Sequence, residues 1–266
     1  MKSFKTLILL LSIIFTFSTV SAQKNLTAKQ IANKSFEVTK LAGAEATATM
    51  TIVDSKGRKR VRKTAQVTKL YQNGDTEKKL VRFLSPADVK GTGLLTFDYK
   101  VKDDDMWLYM PALRKTRRII SSEKAKSFMG SEFSYSDMTP PTLNDFTYKK
   151  LGEEEINGTL CWKIEMIPVD DDIVDENGFS KKISFIGKKD FVIRKAIYYD
   201  PDEEFHKELT VTEVKELDPK NHKFRPLHMV MVNKQNGRKS ILQIDKIQFN
   251  PNVKDEYFTT RYLERE

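Results

Sequence analysis

The sequence has few of the residues that crosslink a chain or bind a metal. It contains one cysteine, Cys161, and three histidines among 266 residues. These numbers exclude an internal disulfide framework and leave too few ligands for a zinc site built from cysteine and histidine. Eleven glycines and nine prolines are also too few for a collagenous or low-complexity chain.

Catalytic motifs are missing as well. No H-E-x-x-H, C-x-x-C, G-x-S-x-G, Walker A or dinucleotide-binding pattern occurs, and the three histidines lack the spacing of metal ligands. Serines and carboxylates are abundant, but the local sequence marks none of them as a nucleophile or base. We therefore predict a protein that is not an enzyme and that uses no cofactor or metal. A hydrolase built from dispersed residues stays an open alternative.

The charge is basic, with a net value of +9, and it concentrates in two runs. Residues 56–63 read KGRKRVRK and residues 114–118 read RKTRR. Nucleic acid is not a predicted partner, because aromatic residues do not interleave with these runs as a stacking platform. Solvated hairpin residues that block edge pairing are one interpretation. The other is transient contact with an anionic membrane or a lipid headgroup, through a basic rim of Arg114, Lys115, Arg117 and Arg118.

The N-terminus predicts a secretory signal peptide over residues 1–22. A basic head precedes an apolar run over 7–17, and small residues occupy the cleavage positions at 20–22. The run is short for a permanent span, so an N-terminal anchor is the weaker alternative. No cysteine stands at the cleavage site for lipid attachment. We expect a Sec-exported, soluble, non-lipidated periplasmic protein whose residues 23–266 form a single domain.

An amphipathic helix is predicted directly after the signal peptide. Thr27 and Gln30 have the spacing of a capping box, and Leu26 and Ile31 have that of a hydrophobic staple. Apolar residues then recur at helical spacing to about Lys40. One face of this helix must therefore lie on an apolar surface.

Alternation of apolar and polar residues dominates the rest of the chain. The clearest runs lie at 46–52, 95–101, 106–110, 160–166, 183–186, 191–199, 205–217, 224–232 and 241–249. Short turn signals such as Asn157-Gly158 separate them, so sequential strands pair antiparallel. We predict a mainly β protein of roughly ten to twelve strands, enough to curl into a barrel or half-barrel.

Two segments interrupt the alternation. Residues 121–143 contain Gly130, the pair Pro140-Pro141 and many aromatic residues, and a loop of this length inside a compact domain is typical of a lid. The acidic stretch 170–176 lacks an oxygen ligand at Val174 that a calcium loop requires. We therefore predict a solvated hairpin loop between Met166 and Phe179.

Three blocks in the middle of the chain carry a family resemblance. They are Phe83–Leu95 (FLSPADVKGTGLL), Asp104–Ile119 (DDMWLYMPALRKTRRI) and Ser127–Met138 (SFMGSEFSYSDM). In this order and spacing they resemble the outer-membrane lipoprotein-sorting-protein-like (LolA-like) family, and within it the branch of an uncharacterised spirochaete lipoprotein domain that binds phospholipid. The resemblance implies a curved antiparallel sheet that forms an unclosed half-barrel, with helices over its concave face.

The resemblance also implies a function. In that family, the hollow between sheet and lid holds acyl chains of a lipid or lipoprotein, which are handed between envelope components. An inner-membrane transporter and an outer-membrane acceptor are the partners that this implies. The expected cavity and lid residues come from the second and third blocks: Met106, Trp107, Leu108, Tyr109, Met110, Phe128, Met129, Phe133, Tyr135 and Met138.

Pattern alone favours a different interpretation of these residues. Methionine and phenylalanine at strand spacing more often fill a core than line a cavity, and only the resemblance reverses this preference. Methionine is nevertheless suited to a deformable wall, and the chain has nine. The alternative function is a non-carrying interaction domain, such as an accessory subunit of an export system.

Overall fold

The structure is a computed structural model that describes residues 26–265. The predicted signal peptide lies outside the described residues. The first element is helix α1 (Ala28–Val38), and its capping box is confirmed: Gln30 N donates to Thr27 Oγ1 at 3.2 Å, and Thr27 N donates to Gln30 Oε1 at 2.9 Å. Because these bonds satisfy free N–H groups of the first turn, they fix where the helix begins.

The remaining described chain is dominated by one antiparallel sheet of thirteen strands. The strands are β1 (Gly43–Val53), β2 (Lys59–Tyr71), β3 (Thr76–Ser85), β4 (Gly93–Tyr99), β5 (Asp105–Met110), β6 (Lys115–Arg118), β7 (Phe146–Ile156), β8 (Thr159–Pro168), β9 (Lys181–Gly187), β10 (Ile193–Tyr199), β11 (Phe205–Asp218), β12 (Lys223–Asn233) and β13 (Lys239–Phe249). The mainly β prediction is confirmed, with one strand more than the predicted upper limit.

The strand order explains how the sheet leaves one side open. It runs β6-β5-β4-β3-β2-β1-β13-β12-β11-β10-β9-β8-β7, so nearly every strand pairs with its neighbour in sequence. The exception is the pairing of β1 with β13, which joins the two halves of the chain at the centre of the sheet. The edges β6 and β7 do not pair within the described residues, so the sheet is an unclosed barrel, as the family resemblance implies.

The chain between the two edge strands crosses the concave side of the sheet. We call residues 119–145 the crossover segment. It contains the short helix α2 (Ser121–Lys124) and single 3-10 turns at Phe128–Gly130, Ser136–Met138 and Leu143–Asp145. Apart from one isolated bridge between Ser127 and Ser134, it adds nothing to the sheet. The predicted lack of strands at 121–143 is confirmed.

The stretch between Met166 and Phe179 joins two strands that pair antiparallel, as a hairpin requires, but the prediction of a solvated loop is wrong. This stretch forms helix α3 (Asp171–Asn177). Asp170 caps it by accepting from Ile173 N at 3.0 Å, acidic residues of the first turn suit the positive end of the helix dipole, and Gly178 adopts the left-handed conformation that ends it. The acidic residues therefore mark a helix start. Within residues 26–265, no cluster of three or more His, Cys, Asp or Glu side chains has a metal-binding arrangement.

Both faces of the sheet are covered by apolar side chains. On the concave face, the main core packs under the crossover segment, and α1 covers Trp162 and Ile164 beside it. On the convex face of β3–β5, the C-terminal segment packs Phe258 and Leu263 against Leu95. That segment contains a 3-10 turn (Asp255–Phe258) and helix α4 (Thr260–Leu263). Across residues 26–265, every helix is too short or too polar to cross a membrane.

Candidate functional site

A cavity of about 260 Å³ lies between the concave face of the central strands and the crossover segment. A second cavity of about 170 Å³ shares Phe133, Asp137 and Met229 with it. Ligand cavities in proteins start at about 300 Å³, and the two adjoining spaces together exceed that size. The centre of the half-barrel is therefore not filled by side chains as a closely packed core would be.

The floor of the larger cavity is apolar and follows from strand register. Met50 on β1 pairs with Leu242 on β13, which in turn pairs with Met229 on β12. All three side chains line the cavity, together with Ala46 and Val81. Because side chains alternate between the two faces of a strand, the same register that pairs these strands also aligns an apolar row across the concave face.

An aromatic loop of the crossover segment covers the cavity, and we call residues 128–138 the roof. Phe128 N donates to Phe133 O at 2.8 Å, which closes the loop, and Met129 at its tip has a left-handed backbone with φ 51°. Phe128 contacts Phe83 and Tyr135, with ring centroids 5.8 Å and 5.6 Å away. The loop thus packs its rings against the core of the sheet.

Polar side chains of the sheet hold the roof by its backbone. Arg62 donates to the carbonyl of Met129, and Arg238 donates to the carbonyl of Gly130 at 3.0 Å. At the far end of the roof, Lys79 donates to the carbonyl of Met138. These contacts connect the roof to strands β2 and β3 and to the residue that precedes β13, so the roof is attached at separable points.

One end of the larger cavity is polar. Thr68, Lys79 and Arg225 line it there, and Arg225 Nη2 donates to Glu77 Oε1 at 3.1 Å. Burial lowers the pKa of the Lys79 ammonium below its usual range, and nearby Arg225 lowers it further, although Glu77 acts in the opposite direction. Within the described residues, Thr68 Oγ1 and Arg225 Nε are buried without a hydrogen-bond partner.

The smaller cavity also contains a half-buried cation. Lys182 lines it beside Tyr198 and Asp137, and its ammonium lies 4.6 Å from the centre of the Tyr198 ring. Burial lowers the pKa of Lys182, and the Asp137 carboxylate opposes that change. Burial also raises the pKa of the Tyr198 hydroxyl well above its usual value, so this hydroxyl stays protonated.

Most of the expected cavity residues lie in the main core. Met106, Leu108, Phe128, Phe133 and Tyr135 are buried there, and Met110, Met129 and Met138 pack against it. Of all these, the cavity lining includes only Phe128, Phe133 and Met138. Trp107 and Tyr109 lie on the convex face, in the cluster covered by the C-terminal segment.

The four residues of the predicted basic rim lie at the edge strand of the sheet. Arg114 follows the turn Pro111–Leu113, and Lys115, Arg117 and Arg118 belong to β6. Arg117 pairs with Glu123 at 2.7 Å, and Arg118 pairs with Asp105. Arg114 and Lys115 are exposed, so this edge presents positive charge to solvent beside the crossover segment.

The cavity residues expected from the sequence do not include the floor or the polar end of the cavity. Met50, Met229 and Leu242 lie in runs with clear alternation, but nothing in those runs distinguishes a cavity floor from a packed core. Lys79 and Arg225 interrupt strands with charge, as many surface residues do. These residues come together only because β1 pairs with β13, and local sequence patterns do not predict that pairing.

Comparisons with known proteins agree with this geometry. A family model with the description "Uncharacterized protein" matches residues 75–265. A solved structure described as a candidate outer membrane lipoprotein-sorting protein domain from Vibrio parahaemolyticus is 28% identical, with a TM-score of 0.80, and the match covers 90% of this chain and 98% of that one. The chain belongs to the LolA-like family.

Two further solved structures extend the comparison. A DUF1329 family protein from Desulfovibrio piger is 26% identical to this LolA-like protein, with a TM-score of 0.81, and the match covers 89% of this chain and 97% of that one. A LolA superfamily protein from Nitrosomonas europaea is 16% identical with a TM-score of 0.68, over 90% of this chain and all of that one (100%), which supports the fold alone. No curated protein matches the chain.

Proposed function

We propose that this LolA-like protein is a periplasmic carrier, and that the cavity under the crossover segment binds acyl chains of lipids or lipoproteins. The observation that carries the proposal is the apolar cavity between Met50, Met229 and Phe133. Each buried CH₂ contributes about 0.8 kcal/mol, so a chain of ordinary length gains several kcal/mol on leaving water. The similarity to a candidate lipoprotein-sorting domain supports the same class of cargo.

Handover requires the cavity to open and close. The roof is attached by hydrogen bonds from Arg62, Arg238 and Lys79 to backbone carbonyls and by an ion pair between Arg238 and Glu132 at 2.9 Å. None of these contacts is covalent, so each can break and re-form. An acceptor that binds the chain more tightly then empties the carrier, without nucleotide hydrolysis in this chain. An inner-membrane transporter as donor and an outer-membrane protein as acceptor complete the proposed route.

The basic edge gives the carrier a way to meet a membrane. Arg114 and Lys115 are exposed at the edge next to the crossover segment. A positive side chain near an anionic surface contributes about 1 kcal/mol. We take residues 23–266 as the exported domain, which the signal peptide at 1–22 directs across the inner membrane.

A filled cavity should abolish cargo binding without unfolding the protein. Ala46 lines the cavity, whereas Thr47 is the next residue on β1 and points to the other face. The mature chain and its Ala46→Phe and Thr47→Phe variants would be incubated with phospholipid vesicles, re-isolated, extracted with solvent and analysed by mass spectrometry. We expect lipid in the wild type and in Thr47→Phe, and a strong reduction in Ala46→Phe, with thermal melting showing that each variant is folded.

Two outcomes would overturn the proposal. If the folded wild type neither carries lipid after purification nor takes it from vesicles, the non-carrying interaction domain becomes the better interpretation. If Ala46→Phe retains as much lipid as Thr47→Phe, the lipid binds elsewhere. Met229→Trp serves as a second filling variant in case Ala46→Phe does not fold.

A further inference from the structure

The polar end of the cavity contains hydrogen-bonding groups that the protein does not satisfy. Arg225 Nε and Thr68 Oγ1 lack a partner within residues 26–265. The ammonium of Lys79 has three N–H donors, and its contact with the Met138 carbonyl uses one of them. Buried polar groups are nearly always paired, so several in one place require an explanation.

These groups converge from two walls of the hollow. Thr68 on β2 pairs in register with Lys79 on β3, so their side chains are neighbours on the concave face. Arg225 reaches them from β12, where its contact with Glu77 brings its guanidinium to β3. A group bound among the three would contact donors on both sides and continue directly onto the apolar floor at Ala46 and Val81.

The charges in this region favour an anion over a cation or a neutral group. Arg225 pairs with Glu77, and Lys40 pairs with Asp98 at 3.1 Å, so each of these cations is matched. Lys79 has no carboxylate within ion-pair distance among the described residues. Asp104, which also acts on the Lys79 charge, lines a separate polar cleft beside the crossover segment. A bound anion would therefore compensate the Lys79 charge.

We propose that the cavity selects amphiphiles with an anionic oxygen headgroup, which binds to Lys79, Arg225 Nε and Thr68 while the acyl chain lies along the apolar floor. This inference rests on the proposed carrier function and names the headgroup class of its cargo. The required chemistry is that of a carboxylate or a phosphate, because both offer several acceptor oxygens to N–H and O–H donors.

Calorimetric titration with chain-matched ligands tests the headgroup separately from the chain. The ligands are laurate, lauryl phosphate and lauryl alcohol, which share one acyl chain length. We expect at least one of the two anions to bind about tenfold more tightly than the alcohol, the ratio typical of a charge-assisted hydrogen bond. Tighter binding of laurate assigns the site to a carboxylate, and tighter binding of lauryl phosphate assigns it to a phosphate.

The variant Lys79→Gln removes the charge and keeps an N–H donor for the Met138 carbonyl. We expect it to bind the anions and the alcohol about equally, because the charge that favours the anions is gone. Lys78→Gln is the matched control, since Lys78 is the next residue on β3 and lies over the rings of Tyr71 and Phe97 on the other face. It should retain the full preference for anions.

The outcomes distinguish this inference from the carrier function. If the wild type binds all three ligands with equal affinity, or Lys79→Gln retains the preference, the headgroup site is wrong and the carrier function stands. If the folded wild type binds none of the ligands, the result contradicts the carrier function itself.

Discussion

Arg225 on β12 and Glu77 on β3 form an ion pair at 3.1 Å, although strands β13, β1 and β2 lie between theirs in the sheet. Neighbouring strands are about 4.8 Å apart, so a flat sheet would separate these two strands by about 19 Å. The ion pair therefore spans the concave side of the sheet, and it requires strong curvature of the central strands. It also closes one end of the cavity.

Breaking this ion pair on one side should destabilise the fold. The Glu77 side chain is only 6% exposed, so Arg225→Met leaves a buried carboxylate without its partner, at a cost of about 3 kcal/mol. The double variant Glu77→Gln with Arg225→Met removes both charges and should lose clearly less than the sum of the single variants. Urea unfolding of the four proteins gives this coupling energy, and strictly additive losses would contradict the bridging role of the pair.

Loosening the roof should increase its local opening. Arg62→Met removes the hydrogen bond to the Met129 carbonyl and keeps an apolar side chain of similar length. We expect amide exchange over residues 128–134 to become about tenfold faster, since losing a hydrogen bond of this kind costs about 1.4 kcal/mol. Lys63→Met is the control, because Lys63 is exposed on the same strand. Equal exchange in both variants would show that Arg62 does not hold the roof.

Asp104 should make the fold less stable as pH rises. Burial raises the pKa of its carboxyl to about 6, despite hydrogen bonds from Thr139 and Tyr99 N that lower it. The folded state therefore binds the proton more tightly than the unfolded chain, and its stabilising effect is lost between about pH 4 and pH 6. Asp104→Asn should be about 1–2 kcal/mol more stable than the wild type near neutral pH and equal to it near pH 4.

Urea unfolding at the two pH values checks this expectation. Asp103→Asn is the matched control, because Asp103 is the neighbouring exposed carboxylate. The prediction fails if Asp104→Asn is less stable than the wild type at neutral pH, since the ionised carboxylate would then have a favourable partner.

Alternation predicted the sheet but not its inner face. On β5, Met106 and Leu108 alternate with Trp107 and Tyr109, and we expected all four to line the cavity. The structure packs the first pair under the crossover segment and the second pair under the C-terminal segment, where Trp107 is half-buried. When both faces of a strand are covered, both sets of side chains are apolar, and sequence cannot tell which one faces inward.

Strand β2 is difficult to predict for a different reason, because its inward side chains are polar. Its inward side chains include Arg62, Thr64, Gln66 and Thr68, so it has no apolar alternation and does not stand out as a strand. The polar inner face exists because the roof and the polar end of the cavity need hydrogen-bonding groups. The floor of the cavity lies on strands that alternation predicts, whereas part of its polar end lies on this strand, which alternation does not predict.

The most direct test of the account is the location of a bound acyl chain among the methionines. Met50, Met138 and Met229 line the cavity, whereas Met106 is buried outside its lining. Protein with ¹³C-labelled methionine methyl groups would be titrated with a perprotonated lauryl ligand, and intermolecular NOEs recorded. We predict NOEs from the acyl chain to Met50, Met138 and Met229 and none to Met106. A bound ligand that gives no NOE to these three methyl groups would contradict the claim that the half-barrel encloses the chain.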